Sequence, residues 1–238
     1  MDSGFFNAKN PAMRFLTNLC NLMLVNLLFI ITCVPLFTIG ASLCGLYKIV
    51  AEIKNGEEVF LLRDYFRAFG SNFKNATLLW VPILLIDSFL IYELYILNYV
   101  LPSEYLILQY PICLVLIISV FIIVWSFPLM ANYENTLKKT VTNAIKVGLA
   151  SFPTTVFVLF IHGLIAFILY YGQYSSVVLF SLMSFFGIAL TALICYIFID
   201  HALEHLGVKP KDEVVEDKPL SISLDDDEDE DDEEDIFK

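Results

Sequence analysis

The chain has 238 residues, 58% of them hydrophobic and 15% aromatic, with a mean hydropathy of +0.73. Too little polar material is present to clothe a water-soluble globule, so the chain is expected to face lipid. The formal net charge of −12 is uneven: positions 207–238 carry 15 acids against 4 bases and the rest 11 against 10, so no basic surface for nucleic acid exists.

Hydrocarbon about 30 Å thick asks for about 20 apolar helical residues. Runs of that length fall at 16–38, 77–101, 106–130, 153–171 and 175–199. They lack the period-2 alternation of barrel strands, and backbone groups inside lipid must be satisfied within the segment, so each run is expected to be an α-helix. The fold class is therefore all-α, a polytopic membrane helical bundle of about five transmembrane helices with amphipathic cytoplasmic helices. Residues 1–206 form the transmembrane domain and 207–238 an acidic cytoplasmic tail. The first run is too long for a signal-peptide core and reads as a retained span. An alternative stays open there: Pro35 and Gly40 in "TCVPLFTIGASLCGLYKIV" could split the run into a hairpin, 16–34 and 41–53, returning the chain to the side it came from.

Lys and Arg in the connections set the orientation. The 47–76 connection has Lys48, Lys54, Arg63, Arg67 and Lys74, the 132–152 connection has Lys138, Lys139 and Lys146, and the tail begins with Lys209 and Lys211, while the connections at 102–105 and 172–174 have none. The C-terminus is thus expected in the cytoplasm and, with five spans, the N-terminus outside. Lys9 and Arg14 pull against the second half of that statement.

Both long cytoplasmic connections are amphipathic. In "LLRDYFRAFGSNFK" Leu62, Tyr65, Phe66, Phe69 and Phe73 share one face beside Arg63, Arg67 and Lys74, which suits a helix lying among lipid headgroups. In "TLKKTVTNAIKVGLAS" Leu137, Val141, Ala144, Ile145 and Gly148 make one stripe and Lys138, Thr142 and Lys146 another. Glu134 and Asn135 precede that helix. With Lys139 and Lys146 they form a candidate partner-docking loop, weakly similar to the coupling loop of ABC-type sugar permeases but without its glycine. The competing reading is a local one, in which the polar residues satisfy helix ends and the lysines bind lipid phosphate. The block "LDDDEDEDDEEDIFK" has almost nothing apolar to bury and is expected to be disordered.

Charged or titratable groups at membrane depth are costly and therefore functional candidates. Asp87 lies 10 residues past position 77 and His162 9 past 153, about 15 and 13 Å in, so the two share a level and form a candidate intramembrane polar site facing the bundle interior. Alternatively each is satisfied singly, Asp87 against a neighbouring backbone and His162 on a carbonyl. Gly40-x-x-x-Cys44 and Ala41-x-x-x-Gly45 would let helices approach closely. The five cysteines form no C-x-x-C pair, and His201 and His205, with Glu204 between them, end a span rather than build a ligand set; no metal or cofactor is expected. Neither a G-x-S-x-G nor an H-E-x-x-H motif is present, and no phosphate-binding glycine loop, so an enzyme is not expected.

The motifs "NPAMRFLTNL", "NLLFIITCVPLFTIGASLCGLY", "GEEVFLLRDYFRAFGSNFKNAT" and "FPLMANYENTLKKTVTNAIKVGLASFP" together resemble the YesL-like bacterial membrane proteins, a domain family of unknown function, over positions 5–205. The resemblance implies a five-span protein of the bacterial plasma membrane, often encoded beside carbohydrate-uptake and polysaccharide-degradation systems. It supplies no catalytic residue, and the acidic tail departs from its pattern. Two functions follow as expectations: an accessory or subunit of a solute-uptake system for carbohydrate, acting with a transport component or by self-association, or a non-transporting membrane scaffold or regulator.

Overall fold

The computed structural model describes residues 11–133 and 136–207. Among these there is no strand. The helices are α1 (Pro11–Thr32), α2 (Ile39–Asn55), α3 (Leu61–Tyr99), α4 (Gln109–Asn132), α5 (Leu137–Ala150), α6 (Phe152–Tyr171), α7 (Gln173–Leu182) and α8 (Ile188–His205). A π-helical turn, Met183–Gly187, joins α7 to α8, so these two form one interrupted rod. The expected acidic tail lies outside the described residues.

Among the described residues six helices, not five, are long and apolar enough to cross a membrane: Met13–Thr32, Leu36–Asn55, Leu61–Tyr99, Glu104–Asn132, Phe152–Tyr171 and Ser176–His205. The hairpin alternative is thus the one the chain adopts, and the five-span count is corrected. Its cause is local. Pro35 has no N–H to continue α1 and disfavours helical backbone at Val34. The Thr38 hydroxyl then closes the turn, 2.5 Å from the Thr32 carbonyl and 2.6 Å from that of Pro35. α2 starts at Ile39 and, with its leading 3-10 turn at Leu36–Thr38, reaches about 30 Å.

α2 is the axis of the bundle. It packs against α1, α3, α4 and α8, and 72% of its apolar window is buried inside the protein. Ala41, Cys44, Leu46, Ile49, Val50 and Ile53 make the centre of the first core with Tyr65, Ala76 and Phe127. The expected small-residue approach is found here: a Cβ on Gly40 would meet the Ala76 carbonyl, and one on Gly45 would strike the Tyr65 ring. A second core gathers Trp125, Val147, Val158, Ile199 and Leu203 from α4, α5, α6 and α8, with the Trp125 indole N–H donating to Thr155 Oγ1 at 2.9 Å.

The separate headgroup-level helix expected at 62–73 does not exist. Those residues are the first turns of α3, whose 39 residues extend about 58 Å, well beyond the hydrocarbon thickness. Tyr65 is buried, and Phe69 and Phe73 are half-buried against the α2 core, while Leu62 and Phe66 stay exposed. The aromatic row therefore faces protein for most of its length. Gly70 lies within this stretch and does not interrupt the ladder. Beyond Pro82, α3 exposes Leu85, Phe89 and Tyr92, as α4 exposes Leu114 and Ile117 and α6 exposes Phe160 and Phe167. Such a surface suits lipid and would be insoluble in water.

α1 is fixed to the interrupted rod by one buried residue. Asn26 Nδ2 donates to the carbonyls of Met183 and Ser184 at 3.0 and 2.8 Å, and its Oδ1 accepts from the Ala189 N–H at 2.9 Å. A π turn leaves backbone groups out of the regular ladder. Asn26 supplies their partners from another helix.

Candidate polar site at the ends of three helices

Where α2 ends, α3 begins and α4 ends, a cavity of about 480 Å³ opens among polar side chains. α2 contributes Lys48 and Glu52, one helical turn apart, with Lys48 Nζ 3.6 Å from Glu52 Oε1. That separation gives Coulombic attraction rather than a good hydrogen bond. Glu52 is 6% exposed, and its Oε2 is buried with no hydrogen-bond partner. An unmet carboxylate oxygen in such a place is costly, so the side chain waits for a donor.

α3 supplies the opposite wall through Arg63, Asp64, Arg67, Ser71 and Asn75, which repeat at helical spacing. Asp64 caps its own helix by accepting from the Phe60 N–H at 3.0 Å. Its other oxygen accepts from Arg63 Nε at 2.8 Å, and the Arg63 guanidinium lies 4.2 Å from the centre of the Phe60 ring. Arg63 is thereby committed. Arg67 is exposed and has no ion pair among the described residues. Asn132 and Tyr133 at the end of α4 and Glu57 and Glu58 between α2 and α3 complete the lining. Outside the cavity lining, Lys54 pairs with Asp200 and, at 3.4 Å, with Glu204, tying the end of α2 to the end of α8.

The residues singled out in the sequence lie elsewhere. Asp87 meets α4: Ser119 Oγ donates to its Oδ2 at 2.8 Å, and its Oδ1 is buried without a partner. His162 is exposed, with Nδ1 2.8 Å from the Val158 carbonyl of its own helix. The expectation that His162 faces the bundle interior beside Asp87 is corrected. Equal depth on two helices does not fix their rotation, and α6 turns Thr155 and Val158 inward while His162 points out. The alternative, a histidine satisfied by a carbonyl, describes what is found.

Of the docking loop, Glu134 and Asn135 lie outside the described residues. Lys139 is exposed on α5 and Lys146 is half-buried. α5 buries Thr140, Asn143, Ala144, Val147 and Gly148, so its inner face is rotated from the expected stripe: Ala144 and Gly148 belong to it, whereas Ile145 is exposed. Gly148 sets the rotation, because a Cβ there would fall 2.5 Å from the Phe121 ring and 2.8 Å from Trp125. His201 and His205 are exposed and stack edge to face at 4.5 Å, and no group of three metal-ligating side chains occurs among the described residues.

The cavity had one signal in the sequence: Lys48 and Glu52 stand at i, i+4 inside "GLYKIVAEIKN", an otherwise apolar helix. Opposite charges at that spacing are normally a solvated pair. Only the six-helix count puts them inside the bundle.

Fold and site together define a multi-pass α-helical membrane protein. Residues 22–94 match the model of a family described as "Protein of unknown function, DUF624", with which the YesL-like resemblance is consistent. The matched stretch contains α2 and the α3 wall of the cavity. No curated protein and no solved structure matches the chain.

Proposed function

We propose that the chain is an accessory membrane subunit of a bacterial solute-uptake system, with carbohydrate the solute class suggested by the YesL-like resemblance, gripped from the cytoplasm by a soluble partner at α5. The observation that carries this reading is the mounting of α5. It is a 14-residue helix held by one face on α4, with glycine-to-ring contact at Gly148, while Lys138 and Lys139 are exposed on its free side. A helix so mounted passes a push or a pull directly to a span. A loose lipid anchor would need neither the glycine nor the buried Thr140 and Asn143. Reversing charge with Lys139→Glu and Lys146→Glu should remove a soluble protein that co-purifies with the unmodified chain in mild detergent, with membrane insertion intact. If insertion or stability falls instead, and the unmodified chain brings no partner, the docking role is wrong and a non-transporting scaffold is the better description.

The orientation belongs to the same reading. Six crossings return both ends to one side. The connections of the opposite side, at 33–38, 100–108 and 172, have no Lys or Arg, whereas Arg14 and Lys54 fall on the side of the cavity. That side is the cytoplasm by the bias of basic residues, and the conflict posed by Lys9 and Arg14 disappears. Reporter fusions at the two termini should both signal cytoplasm in intact cells. A periplasmic signal from either one contradicts the topology.

A further inference from the structure

We propose that the cavity at the ends of α2, α3 and α4 binds a phosphoammonium group, its primary ammonium donating to Glu52 and its phosphate held by Arg67. Glu52 lines the cavity; its Oε2 is buried and accepts from nothing in the protein, while Lys48 stands 3.6 Å from the other oxygen. The missing partner is a donor, and a charged one matches a carboxylate best. Arg67, on the facing wall, is a planar fork of N–H donors without an ion pair among the described residues, a match for phosphate oxygens. Glu57 and Glu58, also in the lining, disfavour a ligand that is only anionic. One ligand with both signs answers all three facts.

Position points to a source. α2 and α4 end and α3 begins at the cavity, which is the level at which spans meet headgroups. A phosphatidylethanolamine headgroup and soluble phosphoethanolamine present the same chemistry. This inference does not rest on the partner proposed above, because co-purification reads that proposal and ligand retention reads this one.

The experiment uses the full chain in mild detergent, offered equimolar phosphatidylethanolamine, phosphatidylcholine and phosphatidylglycerol, with retained lipid counted by native mass spectrometry. Phosphatidylethanolamine should be retained roughly tenfold over phosphatidylcholine, whose methylated nitrogen cannot donate to Glu52, and over phosphatidylglycerol, which has no ammonium. Glu52→Gln should erase the preference between the first two lipids. Arg67→Ala, at an exposed position, should weaken both while leaving their ratio. In parallel, phosphoethanolamine is titrated against thermal unfolding. If it raises the midpoint of the unmodified chain but not of Glu52→Gln, and no lipid is retained, the source is soluble and the site stands. Equal retention of all three lipids, or retention of none together with no response to phosphoethanolamine, overturns the proposal.

Discussion

Replacing Asn26 with leucine should be among the most damaging single changes in the chain, lowering stability by about 2–4 kcal/mol. The reason is geometric. The amide serves three backbone groups, the carbonyls of Met183 and Ser184 and the N–H of Ala189, all at the π turn where the ladder of the α7–α8 rod is broken. Leucine fills similar space and offers no hydrogen bond. Water is scarce at this depth, so the groups would have to find partners by reshaping the rod. Asn26→Asp separates charge from donation: aspartate can still accept from Ala189 but cannot donate to two carbonyls, and it should fare no better than leucine. Asn21→Leu, five residues earlier on α1 and without a hydrogen bond among the described residues, should leave the midpoint nearly unchanged. Thermal unfolding in mild detergent, followed by size-exclusion recovery, reads all three. If Asn26→Leu unfolds at the same temperature as Asn21→Leu, the clamp contributes nothing.

The same joint shows what a linear sequence reveals and what it conceals. Spans that face lipid were legible, since lipid demands unbroken apolar residues: the runs at 77–101, 106–130, 153–171 and 175–199 coincide with the apolar parts of α3, α4, α6 and the α7–α8 rod. α2 was legible only as the hairpin alternative at 41–53, because its neighbours are protein. A helix wrapped by α1, α3, α4 and α8 can hold Ser42, Lys48 and Glu52, and it is the least apolar of the six spans. Preferring five spans to that alternative kept the cavity out of view. The cavity itself joins Glu52 to Arg67 through the packing of α2 on α3, and neither residue alone departs from an ordinary surface charge. Asp87 and His162 failed for a related reason, since depth follows from counting residues whereas direction follows from packing. Gly40 and Gly45 were read correctly because small residues four apart have few uses in a membrane helix besides close approach.

Gly40→Ala should destabilise the bundle even though alanine is the better helix former. A Cβ at this position would lie 2.8 Å from the Ala76 carbonyl oxygen, 2.9 Å from Trp80 Cβ and 3.1 Å from the Phe127 ring. Two of the three neighbours are backbone or the root of a side chain, and neither of these can swing aside. α2 would have to lift from α3, and lifting stretches the bond from Trp80 Nε1 to the Leu36 carbonyl, now 2.8 Å, which holds the hairpin turn against α3. Overpacking of this kind costs about 1–3 kcal/mol, more than the roughly 0.5–1 kcal/mol gained in helix propensity. Gly40→Leu should prevent the hairpin from seating at all and give chain that aggregates on extraction. Gly70→Ala and Gly163→Ala provide the opposite sign. Both glycines lie inside helices with nothing within 4 Å of a new Cβ, so propensity acts alone and the midpoint should rise. A series in which all three alanine variants shift the midpoint in one direction would mean that close packing of α2 on α3 does not govern stability, and α2 would lose its place as the axis of the bundle.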